Sequence, residues 1–118
     1  MYGLPADFDP SVFVGRDLES VTFAVNTIVL SFSDRLAVSI SGRVPYRGLD
    51  SAESGVDDPP VSRTTLTTLV GHKVRGFDLL SPRELVLDFG DGASITLLDD
   101  SDTYESYLIN TGDREIIV

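Results

Sequence analysis

Apolar and polar residues alternate along much of this chain, in short runs separated by turn-forming residues. Ile28-Val29-Leu30-Ser31-Phe32, Leu36-Ala37-Val38-Ser39-Ile40 and Leu85-Val86-Leu87-Asp88-Phe89 each place every second residue on an apolar face. A period of two predicts strands with one face on a core and the other in water. Val, Ile, Thr and Phe dominate these runs, and such side chains pack well on a pleated surface. Gly90-Asp91-Gly92 lies between two such runs, and its glycines supply the positive φ a tight hairpin needs. Ser33-Asp34-Arg35 takes the same place earlier in the chain, while Val25-Asn26-Thr27 and Ser81-Pro82-Arg83 supply two more turns.

The runs repeat. Val14-Gly15 matches Val70-Gly71, and Leu18, Val21 and Phe23 match Val74, Phe77 and Leu79 at one constant spacing. After an insertion near Ser81-Pro82, Ile28, Leu30 and Phe32 match Leu85, Leu87 and Phe89. Asp34 then matches Asp91, and Leu36, Val38 and Ile40 match Ala93, Ile95 and Leu97. A repeated set of apolar positions is the mark of a duplicated structural unit. Copy one spans residues 14–41 and copy two residues 70–98, each a three-stranded meander. Both copies break phase at the same point, Leu18-x-x-Val21 and Val74-x-x-Phe77, which predicts a bulge or a strand that begins late.

Two more strands, Tyr104 to Ile109 and Arg114 to Val118, follow copy two in residues 104–118, joined by Asn110-Thr111-Gly112-Asp113. Residues 42–62 carry Pro45, Gly48, Gly55, Pro59 and Pro60 and read as a long exposed loop, with a short strand at Arg43 to Arg47. The Thr-rich stretch Ser62 to Leu69 reads as extended. The expectation is a single all-β domain over residues 1–118, either a β-sandwich or a partly open β-barrel, whose edges suit a homodimer.

Composition narrows the chemistry. Nine basic against 19 acidic residues leave a net charge of −10 on 118 residues. That field repels phosphates and anionic lipid, so nucleic acid and membranes are poor partners, and a basic protein is a good one. The sequence has no Cys, which removes disulfides, thiolate metal sites and a Cys nucleophile and suits the cytoplasm. Residues 1–10, with Pro5, Asp7 and Asp9, do not read as a secretory signal, and no apolar run approaches the ~20 residues of a membrane helix.

No reaction centre emerges, and no cofactor is expected. Asp88-Phe89-Gly90 has the letters of the kinase magnesium motif without its other parts; alternation places Asp88 outward, Phe89 inward and Gly90 in a turn. His72 is the one histidine, too few for a zinc site, and Arg16 holds its slot in copy one, which marks a position tolerant of polar residues. Asp99-Asp100-Ser101-Asp102 offers oxygens to a calcium ion, but Tyr104 stands where a further oxygen is wanted and the turn glycine is missing. Nineteen acids always contain some pair, so paired carboxylates carry no signal for glycoside hydrolysis.

What remains is a surface. Asp99, Asp100, Asp102, Tyr104, Glu105 and Tyr107 form an acidic and aromatic stretch of the kind that captures basic proteins, the rings anchoring and the carboxylates steering. The bland alternative is an acidic sheet edge whose tyrosines pack on the core. The pattern Val70-Gly71, Leu85-x-Leu87-x-Phe89-x-Asp91-Gly92, Tyr104-Glu105-Ser106-Tyr107 and Arg114-Glu115-Ile116-Ile117-Val118 resembles a family of small uncharacterised bacterial all-β proteins. That resemblance implies a fold and assigns no catalytic residue. The leading expectation is therefore a cytoplasmic interaction protein, such as an immunity protein or inhibitor, with no enzymatic activity. A ligand-binding or enzymatic β-barrel is the alternative, with Arg43, Arg47 and Arg63 orienting an anion beneath the central loop. A purely structural homodimer is the third reading.

Overall fold

The computed structural model describes residues 3–24, 27–41, 44–47, 53–56, 66–99 and 107–118. Within them the first meander forms as read: β1 (Leu18–Phe23), β2 (Ile28–Phe32) and β3 (Leu36–Ile40). Two short strands follow, β4 (Val44–Arg47) and β5 (Glu53–Val56), and then the second meander, β6 (Gly76–Ser81), β7 (Glu84–Gly90) and β8 (Ala93–Leu98). The chain ends with β9 (Tyr107–Asn110) and β10 (Glu115–Ile117). A short 3-10 helix precedes each meander, at Pro10–Phe13 and Leu66–Leu69.

The strands make two five-stranded antiparallel sheets, in the orders β1-β2-β3-β9-β10 and β5-β4-β8-β7-β6. Neither closes on itself, so of the two architectures the alternation allowed, the sandwich forms. The inward residues are those the period of two selects. Ile28, Leu30, Phe32, Leu36, Val38 and Ile40 of one sheet, with Leu85, Leu87, Phe89, Ala93, Ile95 and Leu97 of the other, are all buried. Burying each such side chain larger than alanine contributes about 1.5–3 kcal/mol, and this is the main force holding the layers together.

Each copy of the repeat supplies the meander of one sheet, and the copies trade their following hairpins. β4 and β5, which follow copy one, join copy two's sheet against β8; β9 and β10, which follow copy two, join copy one's sheet against β3. Residues 42–62 are thus not simply a long exposed loop. Val44–Arg47 pairs with both Glu53–Val56 and β8, and Tyr46 is buried.

The copies meet on a pseudo-twofold axis at an isolated bridge between Asp17 and Lys73. Four backbone bonds around it form two pairs related by the repeat. Gly15 N donates to Val74 O at 2.8 Å, as Gly71 N does to Leu18 O at 2.7 Å. Leu18 N donates to His72 O at 2.9 Å, as Val74 N does to Arg16 O at 2.8 Å. The Val-Gly dipeptides make this crossing possible, because Gly15 and Gly71 stand at φ +85° and +92°, where L side chains are strained. The unit also begins earlier than the alternation shows. Leu66–Leu69, within the stretch read as extended, is helical like Pro10–Phe13, and buries Leu66 and Leu69 as the latter buries Phe13.

The phase break takes both expected forms. In β1 the register slips between Leu18 and Ser20, leaving Glu19 without a partner, whereas β6 begins only at Gly76. The matching hairpins turn alike: Asp34 and Arg35 lie at φ +59° and +65°, Asp91 and Gly92 at +54° and +82°. Two consecutive positive values match the right-handed twist of the paired strands.

Candidate functional site

Of the six residues expected to form the partner surface, Asp99 and Tyr107 fall among those described; Asp100, Asp102, Tyr104 and Glu105 lie outside them. Arg43 and Arg63 also lie outside, and Arg47 ends β4. Both described members depart from the expectation of an exposed surface. Asp99 is 2% exposed and Tyr107 1%.

The phase of the strands explains this. Ala93, Ile95 and Leu97 point inward from β8, and Asp99 is the next residue in that series. Tyr107 shares its face of β9 with buried Ile109 and stands opposite Ile40. The signal was in the alternation, extended one step beyond the apolar run, and the acidic neighbours concealed it.

Asp99 works as a clasp. Its Oδ2 accepts a hydrogen bond from Gly3 N at 2.9 Å and stands 4.0 Å from Arg83 Nε. Its own N–H donates to Arg83 O at 2.8 Å, and alongside it Leu4 N donates to Pro82 O at 2.6 Å. The N-terminal segment is thereby tied to the β6–β7 turn. A β-carbon on Gly3 would stand only 2.6 Å from Pro82 O, so the approach requires glycine.

The Tyr107 hydroxyl is buried without a hydrogen-bond partner among the described residues. Burial, and then the negative charge of Asp99, push its ionisation well above the ordinary range, so the phenol stays neutral. An orphaned hydroxyl carries a desolvation cost, so Y107F is expected to leave stability unchanged or raise it by about 1 kcal/mol. Chemical denaturation measures this, and a loss above about 1 kcal/mol would reveal a partner for the oxygen.

The remaining candidates are structural where described. Asp88 points outward and its Oδ1 accepts from Gly90 N at 2.8 Å, Phe89 is buried, and Gly90 opens the turn at φ +82°. Arg16, in the slot read as merely tolerant, is anchored. Its guanidinium donates to Val12 O, Ser33 O and Asp34 O, at 3.1, 2.8 and 3.2 Å. It fastens the first 3-10 helix to the β2–β3 turn. Among the described residues no three acidic or histidine side chains gather to hold an ion, and no helix is long and apolar enough to cross a membrane.

The exposed surface offers a feature the sequence reading passed over. Phe77, Leu79 and Leu80 of β6 are 39%, 43% and 56% exposed. Val21 and Phe23, the copy-one counterparts of Phe77 and Leu79, are partly buried against the core. The clue was available, because β6 is as apolar as β1, but alternation alone does not tell a covered edge from a bare one. Comparison of the chain with known protein families, with curated proteins and with solved structures found no match.

Proposed function

We infer that this chain is a protein-interaction module, of the immunity-protein or inhibitor kind, that binds and masks a basic partner without doing chemistry of its own. The net charge of −10 carries this reading. Among the described residues Asp99 is the only buried charged side chain, so the other described acids keep contact with solvent. A surface of that sign attracts a cationic protein over several ångströms and speeds their encounter.

Retaining a partner on the tagged chain and eluting it with salt tests the reading. A basic protein is expected, with affinity falling steeply as salt rises, since screening at ordinary ionic strength acts over about 8–10 Å. Combined D100K, D102K and E105K substitutions are expected to weaken binding at least about tenfold at nearly unchanged Tm. Asp99 is left out because it is buried. Affinity indifferent to salt, or undiminished in the triple variant, removes the charge-capture reading.

A further inference from the structure

We propose that the outer edge of β6 is where this protein takes up its partner, as an extended segment of alternating apolar and basic residues laid alongside as a sixth strand. The proposal rests on the basic-partner reading: the acidic residues, Asp100, Asp102 and Glu105 among them, steer the partner, and the β6 edge holds it. β6 ends its sheet, with β7 on one side and no strand on the other among the described residues, although the 3-10 helix Pro10–Phe13 packs against it. Apart from its pairing with β7, no backbone hydrogen bond between described residues reaches Gly76 to Leu80. Its outer row of N–H and C=O groups is therefore a template for another strand, a liability that proteins ordinarily cover or charge. Here a single charge, Asp78, stands among the exposed apolar residues Phe77, Leu79 and Leu80. Such an edge is how β-augmentation sites recognise extended peptides, by backbone bonds for affinity and side-chain alternation for specificity.

The other edges are less suited. β10 is three residues long, β5 is four, and the apolar residues Val21 and Phe23 of β1 are packed against the core.

Register determines what fits. Phe77 and Leu79 stand opposite buried Leu87 and Leu85, so they lie on the inward face of the sheet. Asp78, opposite Val86, points the other way, onto the face that also carries Glu84 and Asp88 of β7. Asp78 is exposed and makes no ion pair among the described residues. A strand added here meets Phe77 and Leu79 on one face and, between them on the other face, the carboxylate of Asp78. Cross-strand neighbours of like kind or opposite charge stabilise a ladder, so the complementary strand reads apolar, basic, apolar. A second copy of this chain does not answer that description. Gly76 to Ser81 contains no Lys or Arg to set against Asp78, and two bodies of charge −10 repel.

The test uses the intact protein and a labelled, end-blocked peptide, Thr-Val-Lys-Val-Arg-Val-Thr, followed by fluorescence anisotropy. Two control peptides accompany it: one with Glu replacing Lys and Arg, and one with the central Val replaced by Pro, which keeps the charge and breaks the strand. The first peptide is expected to bind, and each control at least tenfold more weakly. The D78K and L79K proteins, with circular dichroism showing each folded, are expected to bind it at least tenfold more weakly, while T22K on the β1 edge binds it normally. Equal binding of the Pro peptide would reduce the effect to charge attraction and overturn the strand. A wild-type dimer in sedimentation that L79K converts to monomer would overturn it in favour of a second copy. If L79K still retains a basic protein as the wild type does, the basic-partner reading stands and the β6 edge is excluded. If the wild type retains none, the partner reading fails whatever the peptide does.

Discussion

Replacing Phe13 by alanine is expected to lower the unfolding free energy by about 3–5 kcal/mol, the usual cost of emptying a large aromatic site that cannot collapse. Phe13 is fully buried at the end of the first 3-10 helix. Its ring meets Phe32 of β2 edge-on, with centroids 5.6 Å apart, and Phe8 at 6.5 Å, both at 72°. Such aromatic pairs add about 0.5–1.5 kcal/mol each beyond the area they bury. The helix is set in place by an N-cap, Asp9, which accepts from Ser11 N at 2.9 Å, and by Pro10 directly after it. The substitution therefore leaves the helix start intact and removes only its anchor. Urea denaturation with an unchanged m-value reads the effect. V14A is the control, since Val14 is 42% exposed and surface changes stay within about 0.5 kcal/mol. A Phe13 variant no less stable than the Val14 one would mean that residues 3–16 are not docked as described.

The second large effect belongs to Asp99. D99N keeps the size of the side chain and an oxygen for Gly3 N, but removes the charge facing Arg83. A buried charge pair that loses one member ordinarily costs about 3–5 kcal/mol. Arg83 keeps contact with water, its side chain being 43% exposed, so the expected loss is smaller, about 2–3 kcal/mol. The change is also expected to be local at first. Amide exchange at Gly3 and Leu4 should accelerate before the core strands respond, because these two N–H groups are held by Asp99 and by Pro82 beside it. Partner capture should be undiminished at temperatures where the variant is folded. Lost capture in a folded D99N protein would instead return Asp99 to the binding surface and contradict its burial.

Together these variants separate two roles that the sequence merges. Asp99 and Asp100 are adjacent letters in one acidic run, yet Asp99 belongs to the interior and to stability. The residue type suggested a steering charge. The phase of β8 carried the opposite message, because Leu97 and Asp99 lie on the same face of an extended chain. Tyr107 repeats the lesson from the other side, its aromatic ring being read as a surface anchor although its alternation with Ile109 places it in the core.

Strand alternation, turn chemistry and duplication were legible in the sequence because each depends on local physics. An extended chain turns its side chains to opposite faces at every step, so Leu85, Leu87 and Phe89 declare one buried face by spacing alone. The Gly90-Asp91-Gly92 turn declares itself because few residues tolerate positive φ. The exchange of hairpins was not legible. β4 and β9 each continue a sheet by backbone hydrogen bonds, and those bonds look the same from either sheet, so nothing in the letters of Val44–Arg47 says that β8, and not β3, will be the neighbour. Exposure of the β6 edge was decided in the same way. Val21 and Phe77 occupy equivalent places in the repeat, and only the tertiary structure covers one more fully than the other. The sequence by itself determined which residues face inward along each meander and where the chain turns, since those choices are settled between near neighbours. The fold decided which sheet each hairpin joins, which acid is buried and which edge is left open, because those depend on contacts between residues far apart in the chain.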